Sequence, residues 1–316
     1  MSPSSNDKRQ SAPISLALVR KLFARPGRVA ESQFLRREIS GRLFERLALI
    51  KINPQAILDA GCGEGDDLLA LHQSFPASAT IGIDASAAML LKARESTSQA
   101  ISAMQRSLTK FTRLFGRAAA GTGGARLICA DFASLPMASA SVDLVWSNLA
   151  LHWHPQPDRV FAEWRRVLKV DGLLMFSCFG PDTFQELRAA LLAAGEPAAS
   201  LPILPFVDLH DFGDMLVDAG FATPVMDMEK LEITYSSAEK LLADVQAFGG
   251  NPLSTQRKNL SGRHRNQRLL RALEEQRKPN GKISLTIEVL YGHAFKPLPK
   301  KTASGESIIR LDLKRN

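Results

Sequence analysis

Ala56-Ile57-Leu58-Asp59-Ala60-Gly61-Cys62-Gly63-Glu64-Gly65 reads as a short apolar strand running into a glycine turn, with Asp66-Asp67-Leu68-Leu69 opening a helix behind it. Backbones without side chains at Gly61, Gly63 and Gly65 let a ligand approach the main chain, and the helix start presents N–H groups to it. Several nucleotide-binding folds share that much. A dinucleotide site spaces its glycines G-x-G-x-x-G and seats a pyrophosphate on the helix end. Here the spacing is G-x-G-x-G, and Asp66 and Asp67 in the first helical turn would repel a doubly charged pyrophosphate.

A ligand with one carboxylate, one ammonium and one sulfonium suits this turn better, which points to S-adenosylmethionine. The turn amides are expected to hold its carboxylate, Asp59 to face its ammonium, and Asp84, closing the strand Thr80-Ile81-Gly82-Ile83-Asp84, to accept its ribose hydroxyls. Arg126-Leu127-Ile128-Cys129-Ala130-Asp131-Phe132 repeats the pattern, with Asp131 suited to accept from the adenine amino group. Ser141 to Asn148 is a fourth strand whose polar end should lie at the reacting methyl group. The expected cofactor set is Asp59, Gly61, Cys62, Gly63, Gly65, Asp84, Ala85, Asp131, Phe132 and Asn148.

These four segments resemble the motifs of class I S-adenosylmethionine-dependent methyltransferases across about the middle half of the chain. The resemblance implies an α/β fold, a Rossmann-like sheet with helices on both faces that closes with an antiparallel sixth and seventh strand. Alternating strands and helices fit this, since parallel neighbours need right-handed crossovers. Helix signals start near Ser86, at Pro157 and at Asp182 and run from Asp208 to Ala219; Gly172 to Ser177 is the fifth strand, and Pro224 to Tyr235 and Ile283 to Tyr291 are the last extended segments. Leu35, Ile39, Leu43 and Leu47, with Phe34, Phe44 and Ile50 on adjoining faces, mark an amphipathic helix ahead of the first strand. In this family such a helix packs over the cofactor pocket.

With 45% hydrophobic residues in 316, the chain can bury one large core, and three distant cysteines, Cys62, Cys129 and Cys178, indicate neither a disulfide framework nor a zinc cluster. No apolar run approaches the roughly 18 to 20 residues of a membrane span. Residues 1–30 are basic and Ser-rich and are expected to form a disordered extension, with a mitochondrial transit segment as the alternative. Residues 31–295 form the catalytic domain and 296–316 a tail; residues 86–124 hold a helix and a basic, glycine-ended surface insertion. Residues 236–281, between the last two strands, are expected to form a helical lid carrying Arg257, Lys258, Arg263, Arg265, Arg268, Arg271, Arg277 and Lys278 against Glu274 and Glu275. Such a surface attracts acidic partners. No aromatic residues interleave the charges, which argues against nucleic acid.

Gly180-Pro181-Asp182-Thr183-Phe184-Gln185-Glu186-Leu187-Arg188, Phe206 to Asp214, Pro224 to Glu229 and Val289 to Ala294 resemble the BioC family of biotin synthesis. With the cofactor motifs this covers nearly all of residues 31–295. The resemblance implies methylation of the free carboxyl of malonyl-acyl carrier protein, an acidic carrier docking on the basic lid, and a cytoplasmic setting. Many members carry an Ala-x-x-Tyr-Asp element where this chain has Phe23 to Ala30, and the stretch from Ala24 to Glu38 also resembles a mitochondrial complex I assembly factor. That alternative implies a respiratory subunit as target and the mitochondrial matrix as location. A malonyl carboxylate is ionised near neutral pH and needs no general base, so the acceptor site needs orienting donors. His152 and Trp153, with Tyr291 and His293 on the last strand, are the candidates. The His152-Trp153-His154 run has no third metal ligand by spacing.

Overall fold

The computed structural model describes residues 14–28, 32–98, 125–198, 201–248 and 262–299. The insertion beyond residue 98, the tail from residue 300, Arg257, Lys258 and the side chain of Arg263 lie outside the described residues.

Five parallel strands, β1 (Ala56–Ala60), β2 (Ala79–Asp84), β3 (Arg126–Cys129), β4 (Val142–Asn148) and β5 (Leu168–Phe179), are followed by β6 (Ala222–Tyr235) and β7 (Ile283–Phe295) in the order β3-β2-β1-β4-β5-β7-β6. Of the last pair only β7 runs against the rest: it is antiparallel to both neighbours, so β6 regains the common direction. The chain reverses between β1 and β4, and strand carboxyl ends meet at that switch point, where open α/β sheets bind their ligands.

The helices are α1 (Leu16–Phe23), α2 (Gln33–Ala48), α3 (Asp66–Ser74), α4 (residues 87–98), α5 (Pro157–Val167), α6 (Gln185–Ala193), α7 (Leu209–Asp218), α8 (Ala238–Ala247) and α9 (Gly262–Glu274). Leu35, Ile39, Leu43 and Leu47 of α2 recur every turn and are buried with Trp146 and Leu144 on one face of the sheet. Phe161 and Trp164 of α5 and Phe212 and Leu216 of α7 fill the other face with Phe176.

Three boundaries differ from the sequence reading. Part of the expected extension is ordered: Ser15 caps α1, and Pro26–Arg28 forms a 3-10 turn. β5 begins at Leu168, before the helix-ending Asp171-Gly172, because Leu168 already pairs with Val142 and Asp171 takes φ +59° within the strand. α6 begins at Gln185, since Phe184 sits at φ +62° and its N–H donates to Thr286 O (2.8 Å) on β7.

Candidate functional site

The glycine turn is wired to β2. Gly61 N–H and Cys62 N–H both donate to Ile83 O (2.8 and 3.0 Å), Gly63 N–H donates to Asp84 Oδ2 (3.0 Å), and Gly65 N–H donates to Cys62 O (2.9 Å). Asp84 Oδ1 also accepts from Ser86 N–H (2.7 Å). Four amides of the turn, expected from the sequence to hold a ligand carboxylate, are thus engaged within the protein. The arginines that line the cavity are Arg20 and Arg36.

Gly61 has φ +85°, and a Cβ there would stand 2.3 Å from Ala150 Cβ, so the turn and the segment after β4 touch backbone to side chain. Gly63, at φ +51°, faces open space. That open side belongs to a cavity bounded by Gly61, Gly63, Asp84, Ala85, Phe132 and Asn148 from the sheet edge. Its outer wall comes from Leu35 and Arg36 of α2, the helix expected over the pocket, from Ala247 and Phe248 at the end of α8, and from Val19, Arg20 and Phe23 of α1, which no motif marks.

Asp66 and Asp67 fasten α2 over this cavity. Gln33 Nε2 donates to both Asp66 carboxylate oxygens (3.2 and 3.1 Å), and Arg37 Nη2 reaches Oδ1 at 3.2 Å. Ser40 Oγ donates to Asp67 Oδ1 (2.6 Å) and Trp146 Nε1–H to Oδ2 (2.8 Å). Asn148 Nδ2 donates to Arg36 O (3.1 Å), and its Oδ1 accepts from Ser177 Oγ (2.7 Å). α1 is held by Ser86 Oγ donating to Phe23 O (2.9 Å), by Phe23 set edge-on to Trp153, and by Arg20 at 3.7 Å from Asp131.

Asp59 is buried behind the turn and its Oδ2 has no hydrogen-bond partner. Burial raises its carboxyl well above the ordinary carboxylate value, and the nearby Asp67 and Asp84 raise it further. Asp84 and Asp67 are raised too, mainly by burial, with their donors opposing the shift. Of these three acids Asp84 lines the cavity and Asp59 and Asp67 lie behind it, so burial and mutual repulsion penalise their charged forms, and one Asp59 oxygen is left orphaned. A cationic ligand relieves this and an anionic pyrophosphate aggravates it. On this observation the residues fit S-adenosylmethionine.

Among the other predicted cofactor residues, Cys62 packs under the turn with Leu68 and Leu90, its thiol raised chiefly by burial, and Gly65 backs onto Ala93 of α4. Asp131 does not line the cavity; it accepts from Ala133 N–H (2.9 Å) and stands 4.0 Å from His154 Nε2. Tyr291 is not brought to the site either. It is buried in β7 with the Arg46 guanidinium 3.8 Å over its ring, because residue parity on β7 sends it to the face covered by α2. His293, half-buried on the same strand, packs edge-on to Phe295.

His152 and Trp153 do reach the cavity, in a 3-10 turn (Leu151–Trp153) after β4. His152 is 9% exposed, neither ring nitrogen has a partner, and its neighbours are the rings of Trp153, Phe179 and Phe206. Burial pushes its pKa down to about 3, so the imidazole is neutral. His152, Trp153, Phe179 and Phe248 also bound a second cavity of about 270 Å3, bordered by α6, α8, α9 and residues 202–206 and partly open to solvent. Sequence periodicity gave no sign of it, since its lining comes from four separate stretches.

The charges of the insertion are more neutralised than the local sequence suggests. Arg265 pairs with Glu196 (2.7 Å), and Arg277 and Lys278, which fall beyond the end of α9, pair with Glu274 and, at 2.9 Å, with Glu232. Arg268 and Arg271 are exposed and have no ion-pair partner among the described residues. Among the described residues there is no metal-binding cluster and no helix long and apolar enough to cross a membrane.

Known proteins resemble this chain in domain, in fold and along its length. Residues 58–176 match the family model described as a methyltransferase domain. The fold matches a putative methyltransferase from Bacillus halodurans (TM-score 0.54, 17% identity, 82% of this chain and 99% of that one) and the YcgJ protein of Bacillus subtilis (TM-score 0.51, 17% identity, 81% and 98%). Two curated proteins named malonyl-acyl-carrier-protein O-methyltransferase are similar along almost the whole chain. That of Methylovorus is 42% identical over 286 residues, 90% of each chain, and that of Gallionella capsiferriformans 41% identical over 285, 90% and 91%. A third, from Laribacter hongkongensis, is 41% identical over 279 residues, 87% of this chain and 88% of its own. The chain belongs to the malonyl-acyl-carrier-protein O-methyltransferase family.

Proposed function

We propose that this enzyme transfers a methyl group from S-adenosylmethionine to the free carboxyl of a malonyl group carried on acyl carrier protein, a step of biotin synthesis. The observation that carries this reading is His152, buried, neutral and without a partner beside the cofactor cavity. An amine or hydroxyl acceptor must lose a proton on transfer, and an imidazole whose conjugate acid has a pKa of about 3 is too weak a base to take it near pH 7. A carboxylate arrives ionised, and what it needs is a donor to orient it. The respiratory-subunit alternative has no comparable support, since the chain-long relatives carry the malonyl-carrier name.

S-adenosylmethionine supplies the methyl group as an electrophile on a sulfonium. Asp59 and Asp84 meet its positive and hydroxyl-bearing parts, Ala85 and Phe132 border the adenine side with Asp131 behind them, outside the cavity lining, and Gly61, Cys62, Gly63 and Gly65 keep the turn shape that admits it. Asn148 fixes the end of β4 against α2. His152 donates one ring N–H to the acceptor carboxylate, while Trp153 and Phe179 exclude water around it. Tyr291 acts by holding Arg46, and through it α2, against the sheet.

The helices of residues 236–281 serve as the substrate lid, because Phe248 of the first borders the cofactor cavity and Leu269 of the second borders its neighbour. Arg268 and Arg271, with Arg257, Lys258 and Arg263, offer the acidic carrier protein its docking charges; Arg265 contributes less, being paired with Glu196. A cytoplasmic setting is part of the proposal and suits three free cysteines.

Purified protein given methyl-labelled S-adenosylmethionine and malonyl-acyl carrier protein should form a base-labile methyl ester, with no label on the unacylated carrier. Background label alongside saturable cofactor binding would refute the acceptor assignment. Growth of a biotin-requiring strain lacking its own malonyl methyltransferase is the cellular counterpart.

A further inference from the structure

The second cavity is a poor match for the acceptor just proposed. A malonyl unit has three carbons, one of them the thioester carbonyl, and beyond it come the amides of a pantetheine arm; each of these polar groups costs free energy if buried without a partner. The chamber is lined by Phe184, Leu187, Leu191, Ile203, Leu242 and Val245 among others, and apart from His152 and the indole of Trp153 its lining offers one polar side chain, Gln246, which is exposed. Its volume of about 270 Å3 is well above the ~150 Å3 of an apolar cavity that stays dry and takes up benzene. Among its described lining residues the one buried polar side chain without a partner is His152, which also borders the cofactor cavity.

An apolar chamber with a single neutral donor at its inner end, next to a methyl-donor site, fits a ligand with a hydrocarbon tail and one carboxylate. We infer that the chamber bounded by α6, α8 and α9 binds free medium-chain monocarboxylic acids, with the chain in the chamber and the carboxylate at His152, and that the enzyme methylates them as a second class of acceptor. In that step a carboxylate oxygen forms a bond to the methyl carbon, the methyl–sulfur bond breaks with its electron pair remaining on sulfur, and no proton moves. The inference rests on the neighbouring cavity being the methyl-donor site; the binding of the acid does not.

The test titrates the full-length protein calorimetrically with hexanoate, octanoate and decanoate, and with suberate and octylamine as controls. Burial of one further methylene should tighten binding about fourfold until the chamber is filled. Suberate, which has a second carboxylate to bury, and octylamine, which cannot accept the His152 proton, should each bind at least tenfold more weakly than octanoate. Val245→Phe and, independently, Leu242→Phe fill the chamber and should weaken octanoate at least tenfold with S-adenosylhomocysteine affinity within twofold of wild type. With S-adenosylmethionine added, methyl octanoate should appear by gas chromatography–mass spectrometry.

Affinity that does not depend on chain length, or that survives both filling variants, overturns the chamber assignment. Tight octanoate binding without methyl octanoate overturns the acceptor role. Chain-length-dependent octanoate binding and methyl ester formation in a protein inactive on malonyl-acyl carrier protein supports the inference while refuting the acceptor named under Proposed function.

Discussion

Gly61→Ala and Gly63→Ala should separate the two duties of the turn, one to pack and the other to stay open. Both positions have positive φ, +85° and +51°, where an alanine costs about 1–2 kcal/mol. At Gly61 the new methyl group would also lie 2.3 Å from Ala150 Cβ, more than an ångström inside ordinary contact of about 3.5–4 Å. Relieving that overlap pushes the segment after β4 away from the turn, at roughly 1–3 kcal/mol for overpacking a buried site. The sum for Gly61→Ala is about 2–5 kcal/mol, a large share of the 5–15 kcal/mol typical of a folded domain. Gly63→Ala carries the backbone cost alone, since nothing stands within 4 Å of its new methyl, which instead enters the cavity. Urea unfolding of the ligand-free proteins should therefore rank Gly61→Ala well below Gly63→Ala. Calorimetric titration with S-adenosylhomocysteine should show Gly63→Ala, the more stable of the two, losing tenfold or more in affinity. Equal destabilisation by both, or full ligand affinity in Gly63→Ala, would refute the reasoning.

Asp59→Asn removes an uncompensated buried carboxyl, so the ligand-free protein should be no less stable at pH 7 while S-adenosylmethionine affinity falls at least tenfold. Because burial and its acidic neighbours raise Asp59, cationic ligand binding should release protons from the wild type, and titrations in buffers of different ionisation enthalpy should show that release shrinking in the variant. His152 has a folded pKa of about 3 against about 6.5 unfolded, so the unfolded chain takes the extra proton between these values, and stability is lost as pH falls through that window. The stability of His152→Gln relative to wild type should consequently improve by about 1.4 kcal/mol per pH unit from pH 6 to 4, measured by urea unfolding; a constant difference would mean His152 is not held neutral. Arg268→Glu with Arg271→Glu should lower kcat/KM for the carrier-bound substrate several-fold at low salt and less at 0.3 M salt.

The sheet was legible in the sequence because parallel strands announce themselves locally, as apolar runs ending in acids at Asp59, Asp84 and Asp131, each followed by a turn or helix signal. The same locality hid part of the outer wall of the cavity. Arg20 and Phe23 come from a basic stretch with no motif, and they reach the site because Ser86 and Trp153, far along the chain, hold α1 in place. His152 was legible from its place after β4. Tyr291 was not, since the face it occupies depends on strand parity and on Arg46 of α2, which sits 3.8 Å over its ring. The pairing of Arg265 with Glu196 shows the same limit for charge: a helix that is basic in sequence is neutralised in part by a residue preceding it by more than sixty positions.

The unequal attachment of the two covering helices has a kinetic consequence. Moving α2 aside would strip Asp67 of its Ser40 bond, part Asp66 from Gln33 and Arg37, and uncover Leu35 and Ile39. Among the described residues α1 has no fully buried residue and is held by one hydroxyl, one ring edge, a long ion pair and Val19 packed against the small cluster of Ile14 and Leu204. Opening at α1 therefore breaks fewer contacts than opening at α2, and a turnover limited by release of spent cofactor through that side would be set by eight residues at the edge of the fold.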